Sequence, residues 1–127
     1  SGSVGLEALS RGAAHAVFIE KSRAALRVLE ENLNALGLRN RARVICGSAL
    51  KHLGRIQAGI VFLDPPYDLK QEYERALRLL GAAPPTLVVV QHSARLSLDE
   101  SYGSLRFRRR LAQGDNVLSF YEPSIAD

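Results

Sequence analysis

The chain has 127 residues, of which 46% are hydrophobic and 24% charged, and its formal net charge is +4. This length and composition predict one folded domain, residues 1–127, and exclude a disordered, collagen-like or coiled-coil protein. One cysteine cannot form an internal disulfide, no residues have the spacing of a metal site, and no apolar run has the roughly 20 residues of a membrane span. With no visible signal peptide, the sequence predicts a soluble cytoplasmic protein without a metal or membrane partner.

Short apolar runs alternate with amphipathic stretches along the first ninety residues. Strands are predicted at 16–19, 42–46, 60–63 and 86–90, since short apolar runs are typical of strands buried on both faces. Helices are predicted from the N-cap Ser22 to Gly37 (with Leu26, Leu29, Leu33 and Leu36 on one stripe), around 49–53, and over 69–80. This order predicts an α/β fold with an open, mostly parallel sheet and helices on both faces.

The last part of the chain has a different pattern. Leu105, Phe107 and Leu111 alternate with Arg106, Arg108 and Arg110, and 117–121 is strand-like. Because Gly114, Asp115 and Asn116 lie between them, the pattern predicts a C-terminal antiparallel hairpin. Arginines bind phosphate without reading sequence, so Arg39, Arg41, Arg106, Arg108 and Arg110 are candidate RNA contacts, the alternative being a solvated strand face.

Ligands of parallel sheets bind beyond the carboxyl ends of the strands, so residues there are the candidate site. Glu20 ends the first predicted strand, where a carboxylate can accept hydrogen bonds from two ribose hydroxyls; the alternative is a surface residue paired with Lys21 or Arg23. Ser1, Gly2 and Ser3 precede a helix-compatible stretch, where glycine lets backbone N–H groups approach a ligand; the alternative is an ordinary loop.

The sharpest motif is Asp64-Pro65-Pro66-Tyr67, directly after the third predicted strand. Two prolines fix the backbone and cannot continue a sheet ladder, so the motif forms a stiff elbow. An acidic acceptor beside an aromatic ring suits a planar ligand with an exocyclic amino group, which Tyr67 can stack against. The alternative is a strand-ending turn whose tyrosine packs on the sheet.

The run Gly-Leu-Glu-Ala-Leu-Ser-Arg-Gly at 5–12, the strand-end Glu20, Asp-Pro-Pro-Tyr at 64–67 and the closing hairpin together resemble the bacterial small-subunit rRNA guanine-N2 methyltransferase family. That family belongs to the Rossmann-like methyltransferases that use S-adenosylmethionine. The resemblance implies an rRNA (guanine-N2) methyltransferase that acts on small-subunit rRNA or a ribosomal assembly particle. It implies catalytic roles for Asp64, Pro65, Pro66 and Tyr67, and cofactor binding by Ser1, Gly2, Ser3, Glu20, Lys21, Ser48, Ala49 and Asp64. We expect the protein to be a monomer.

The chain departs from the family pattern in three places. The family has Asp-x-Phe-x-Gly on the first core strand just before Ser-Gly, whereas this chain begins after it. Ser48 stands where relatives often have Asp or Asn, and Gln91 where many have Glu. We therefore expect an N-terminally incomplete domain, with a gap between the strands ending at Glu20 and Leu63 that an upstream segment or neighbouring chain fills, because open inner edges leave backbone groups unpaired.

The resemblance also implies a mechanism. An ionised Asp64 would accept an amine N–H while Tyr67 stacks on the base, so that positioning supplies much of the rate. The target base must be unpaired or flipped out of a duplex. Two alternatives remain open: methylation of another amino group, such as adenine N6 in DNA or RNA, and a non-catalytic remnant that binds RNA.

Overall fold

The computed structural model describes residues 15–20, 23–46, 59–64 and 70–124. Within these ranges the strands are β1 Ala16–Glu20, β2 Ala42–Cys46, β3 Ile60–Asp64, β4 Leu87–Ser93, β5 Ser101–Tyr102, β6 Leu105–Gln113 and β7 Asn116–Pro123. The helices are α1 Arg23–Ala35 and α2 Lys70–Ala82, and a 3₁₀ turn covers Arg39–Arg41. The predicted strands and hairpin are confirmed. The predicted helix around 49–53 lies outside the described residues.

One sheet contains all seven of these strands, in the order β2-β1-β3-β4-β7-β6-β5. The strands from β2 to β4 pair in parallel, and β4, β7, β6 and β5 pair antiparallel. The mostly parallel α/β sheet with a C-terminal hairpin is therefore confirmed. In the described part of the chain, no helix is long and apolar enough to cross a membrane.

The expected gap beside β1 is absent. β1 and β3 pair directly, from Ala16 opposite Ile60 to Glu20 opposite Asp64. The two strands match in length and in apolar pattern, and the rings of Phe18 and Phe62 stack across them at 5.1 Å and 14°. Because each strand satisfies the backbone groups of the other, the expectation of two open inner edges was wrong.

The helices cover opposite faces of the sheet, as predicted. Leu29 and Leu33 of α1 pack in one cluster with Phe18, on the face that also carries Ile60 and Phe62. The buried residues of α2 pack in a second cluster with alternate residues of the same strands: Val17, Ile19, Val61, Leu63, Val88 and Val90. Strands that are buried on both faces need near-continuous apolar runs, which explains why the sequence revealed them.

Helix α1 ends on a glycine, as the sequence predicts. Gly37 has a φ of 69°, and the N–H of Leu38 donates to the carbonyl of Leu33 at 2.8 Å, while Gly37 donates to Asn34 at 3.1 Å. These are the two hydrogen bonds of a Schellman C-cap. The placement of Leu36 on the buried stripe was wrong: the helix has already ended at Ala35, and Leu36 is 57% exposed.

The hairpin contains a bulge that the sequence pattern does not indicate. Phe107 pairs with Tyr121 and Arg109 with Phe120, so the register shifts at Arg108. The predicted alternation of arginines along one face is therefore wrong beyond Phe107. A bulge adds one residue to one strand and exchanges the two faces downstream of it.

Candidate active site at the carboxyl edge of the sheet

The carboxyl ends of β2, β1 and β3 lie side by side. Glu20 ends β1 and is in register with Cys46 of β2 on one side and with Asp64 of β3 on the other. Adjacent strands are about 4.8 Å apart, so the backbones of two acidic residues are neighbours at one edge. The sheet thus brings together the two strand-end acids that the sequence singles out.

Asp64 is the last residue of β3 and is half-buried. Burial alternates along this strand, with Val61 and Leu63 buried on the α2 face and Ile60 and Phe62 packed on the α1 face. By the same alternation, Asp64 lies on the α1 face of the sheet with Ile60 and Phe62. An acid at the end of a short buried strand is held by the packing of the residues before it, which suits a group that must be positioned.

Several candidate residues lie outside the described part of the chain. They are Ser1, Gly2, Ser3, Lys21, Ser48, Ala49, Pro65, Pro66 and Tyr67. Their proposed roles stay predictions from the sequence.

Arg39 and Arg41 lie far from the two acids. They form the 3₁₀ turn before β2, at the amino end of a strand whose carboxyl end is Cys46. Arg39 is also engaged locally: its Nε is 2.7 Å from Glu30 Oε2, and its Nη1 donates to the carbonyl of Ala42 at 2.7 Å. The structure does not bring these arginines together with Glu20 and Asp64.

The hairpin arginines divide between the two faces of the sheet. Arg108 forms an ion pair with Glu122 at 3.3 Å, and Arg109 lies over the ring of Phe120 at 4.3 Å. Arg106 is opposite Glu122 in register. Arg110 lies beyond the bulge and lines a cavity on the opposite face from Phe120. Arg110 therefore faces the cavity, whereas Arg106, Arg108 and Arg109 lie beside Glu122 or Phe120.

Arg110 also lies level with the strand end that carries Asp64. Leu63 pairs with Val90, Val90 with Ser119, and Ser119 with Arg110, in a line across β3, β4, β7 and β6. Three strand spacings amount to about 14 Å. Strands β7 and β6 therefore continue the sheet beyond β4, and Arg110 lies in the interior of β6, across the sheet from the end of β3.

A buried polar pair near the end of β4 was missed by the sequence reasoning, which assigned no role to His92. His92 Nδ1 lies 2.9 Å from the carbonyl of Ser93, and Nε2 lies 2.7 Å from Ser119 Oγ. Burial lowers the pKa of His92 from its ordinary 6.5, and the charge of Arg110 acts in the same direction. The neutral ring therefore donates from Nδ1 and accepts the Ser119 hydroxyl at Nε2. Only the register of two distant strands brings these side chains together.

The architecture is the Rossmann-like fold of methyltransferases, as its likeness to solved structures shows. A solved structure named "Putative methyltransferase yhhF from Escherichia coli" superposes with a TM-score of 0.69 at 31% identity, covering 98% of this chain and 72% of that one. The chain belongs to the family described as "Conserved hypothetical protein 95", which matches residues 1–122.

Two curated relatives agree with this membership. The "Putative rRNA methyltransferase YlbH" of Bacillus subtilis is 30% identical over 131 residues, covering 96% of this chain and 71% of the relative. "Ribosomal RNA small subunit methyltransferase D" of Escherichia coli is 46% identical over 69 residues, which are 53% of this chain and 34% of that protein.

Proposed function

We propose that this protein transfers a methyl group from S-adenosylmethionine to the exocyclic N2 amine of a guanine in small-subunit rRNA. The observation that carries the proposal is the register that makes Glu20 and Asp64 neighbours at the carboxyl edge. The names of the two curated relatives support rRNA as the substrate class. The resemblance of 64–67 to the family motif supports an amino group as the target.

The residues present fit the cofactor. Nucleoside ligands of parallel sheets bind at the carboxyl edge, with an acid at a strand end accepting hydrogen bonds from the ribose hydroxyls. Glu20 ends β1 at that edge, between Cys46 and Asp64. When bound, S-adenosylmethionine supplies a methyl group on a positively charged sulfur, ready for attack by a nitrogen.

Asp64 holds the target amine. The nitrogen lone pair of a guanine amine is delocalised into the ring, so the amine is a poor nucleophile and must be aligned with the methyl group. An ionised Asp64 accepts one N–H of the amine, which orients the nitrogen and stabilises the positive charge that develops during transfer. The role of Tyr67, predicted from the sequence motif, is to stack on the base. The substrate base is unpaired, because a base inside a duplex cannot reach a strand-end site.

The test is methyl transfer to transcribed small-subunit rRNA, with labelled S-adenosylmethionine and nucleoside analysis of the product. We expect N2-methylguanosine. The Asp64→Asn variant, which keeps the size of the side chain and removes its charge, should lower the rate by about 10²- to 10³-fold with cofactor affinity unchanged. The matched control is Asp115→Asn, an exposed acid in the hairpin turn, which should transfer at the normal rate.

Three other results would contradict the proposal, each in a different way. Label on N6 of adenine would replace it with the alternative amino-group reaction. RNA binding without any transfer would favour the non-catalytic remnant. Equal loss of transfer and of cofactor binding in Asp64→Asn would assign Asp64 a structural role.

A further inference from the structure

A second site lies on the antiparallel half of the sheet. A cavity of about 150 Å³ opens between segment 96–100, which follows β4, and the side of β6 and β7 that carries Phe107 and Tyr121. Its lining combines segment 96–100 with His92, Phe107, Arg110, Ser119 and Tyr121. None of these residues is among the predicted catalytic or cofactor-binding residues, although Arg110 is one of the candidate RNA contacts.

The wall formed by segment 96–100 is held in place by the core. The backbone N–H of Asp99 donates to Tyr102 Oη at 2.8 Å, and the carbonyl of Asp99 accepts the hydroxyl of Tyr121 at 2.7 Å. The carbonyl of Glu100 accepts the N–H of Phe107 at 2.7 Å. Because both tyrosines are buried, the wall is pre-formed, which lowers the entropic cost of binding a ligand there.

The floor of the cavity is polar but uncharged. Both ring nitrogens of His92 are committed to the Ser93 carbonyl and the Ser119 hydroxyl. Burial keeps the imidazole neutral by lowering its pKa. The floor therefore offers a ligand fixed polar groups. It offers neither a charged imidazolium nor a free imidazole nitrogen.

The mouth combines an aromatic ring with a cation. Phe107 is 37% exposed, and its ring stands edge-on to Tyr121 with centroids 5.9 Å apart at 77°. The bulge at Arg108 places Arg110 on the same face as Phe107, and Arg110 is exposed. An exposed ring that stacks and a guanidinium that binds phosphate are the two elements by which proteins hold single-stranded nucleic acid.

The size of the cavity restricts the ligand. A cavity of about 150 Å³ accommodates one benzene-sized ring. Segment 96–100 contributes Asp99 and Glu100, whose carboxylates can accept hydrogen bonds from a base amino group, as acids do from cytosine N4. A single pyrimidine ring fits this volume and this chemistry.

We propose that this cavity binds an unpaired pyrimidine nucleotide of the RNA substrate, with its base against Phe107 and its phosphate on Arg110. The proposal rests on the proposed function for the identity of the RNA. Because Arg110 lies level with Leu63, the nucleotide binds on the α2 face of the sheet, three strand spacings or about 14 Å across from the strand that ends in Asp64. The cavity then fixes a neighbouring part of the RNA strand while the target base enters the active site.

The test measures binding, not methyl transfer. Fluorescence anisotropy compares a cytidine decamer with an abasic decamer of the same backbone, using the 127-residue chain. Stacking of one base is worth about 1–3 kcal/mol, so the cytidine decamer should bind about 5- to 150-fold more tightly. Phe107→Ala should remove most of this difference and leave affinity for the abasic decamer unchanged. Arg110→Gln should weaken binding of both decamers.

Two matched variants on the other face serve as controls. Arg109→Gln removes the same charge one residue away, and Leu111→Ala truncates a side chain that is 41% exposed on the same strand. Both should keep the preference for the cytidine decamer. Equal affinity for the two decamers, equal effects of Phe107→Ala and Leu111→Ala, or binding of an oligoglutamate peptide as tight as that of the cytidine decamer would overturn the proposal.

The outcome is separable from that of the proposed function. Asp115→Asn, in the hairpin turn outside both the cavity and the candidate active site, should bind both decamers normally. Loss of the base preference with methyl transfer to rRNA intact would overturn only this cavity. Retained preference without any methyl transfer would support the cavity and contradict the enzyme.

Discussion

The two halves of the sheet are stabilised in different ways. The parallel half, from β2 to β4, buries apolar side chains on both faces, as the stacked Phe18 and Phe62 show. The antiparallel half, from β7 to β5, also buries hydroxyl groups, those of Tyr102, Tyr121 and Ser119. The parallel half is therefore a mainly apolar support for the acids at its strand ends, whereas the antiparallel half depends on polar partners, which include His92 near the end of β4.

The polar partners of the antiparallel half form a connected set. Tyr121 donates to the carbonyl of Asp99, the N–H of Asp99 donates to Tyr102, and Tyr102 donates to Glu74 of α2 at 3.0 Å. Among the described residues, no buried side-chain nitrogen or oxygen lacks a hydrogen-bond partner. A buried network in which every hydrogen bond is formed stabilises one arrangement of its side chains. Removing one member lowers the free energy of unfolding, because its partner is left without a hydrogen bond. This contrast can be tested at the contact between α2 and β5, at alkaline pH and at acidic pH.

The largest effect is expected at the seam where α2 meets β5, the outermost strand of the antiparallel half. Gly81 of α2 lies directly against β5, where an added Cβ would overlap the carbonyl oxygen of Tyr102 and lie 2.9 Å from its carbonyl carbon. Ser104 also joins the helix to this segment, because its hydroxyl donates to the carbonyl of Gly81 at 2.7 Å. Because the clash is between backbones, we expect Gly81→Ala to lower the free energy of unfolding by about 3 kcal/mol in urea titrations.

A glycine of the parallel half provides the control for this measurement. A Cβ on Gly59, just before β3, would meet only the carbonyl oxygen of His15 at 3.5 Å, an ordinary contact. We expect Gly59→Ala to change stability by less than about 1 kcal/mol. Equal losses in the two variants would contradict the close approach at the seam.

The second prediction concerns alkaline pH. Burial raises the pKa of Tyr102 to about 12 and also raises the pKa of Tyr121, from the ordinary value of 10. Because the folded state favours the neutral phenols, their contribution is complete below pH 10 and is lost as the pH rises from 10 toward 12. Urea unfolding between pH 9 and 12 should show a steep decline.

The double variant Tyr102→Phe, Tyr121→Phe removes these phenols. It should lose about 3 kcal/mol at neutral pH, since the two hydroxyls make three hydrogen bonds that contribute about 1 kcal/mol each. Above pH 10 its stability should fall less than that of the unmodified protein. Curves with the same slope above pH 10 would show that other groups control alkaline unfolding.

The same contrast explains what the sequence could predict. The parallel strands and the positions of Glu20 and Asp64 follow from short apolar runs ending in an acid, which is local information. The bulge at Arg108 and the two-residue β5 leave no periodic signal, because each depends on how a neighbouring strand pairs. The direct pairing of β1 with β3 is also non-local, which is why the expected gap was wrong.

The smallest effect is expected at acidic pH, from His92. Its ring meets the edge of Tyr73 at 6.1 Å, the Ser93 carbonyl, Ser119 and the charge of Arg110, and burial is the main cause of its lowered pKa. The unfolded chain therefore binds a proton more readily than the folded protein.

The stability that His92 contributes is complete above pH 6.5 and is lost as the pH falls from 6.5 through the folded pKa. We expect the stability of His92→Gln to decline less between pH 7 and 5 than that of the unmodified protein. His15→Gln, at an exposed position, should follow the unmodified curve. If His92→Gln follows that curve as well, the acid sensitivity lies elsewhere, and the neutral floor assigned to the cavity loses its support.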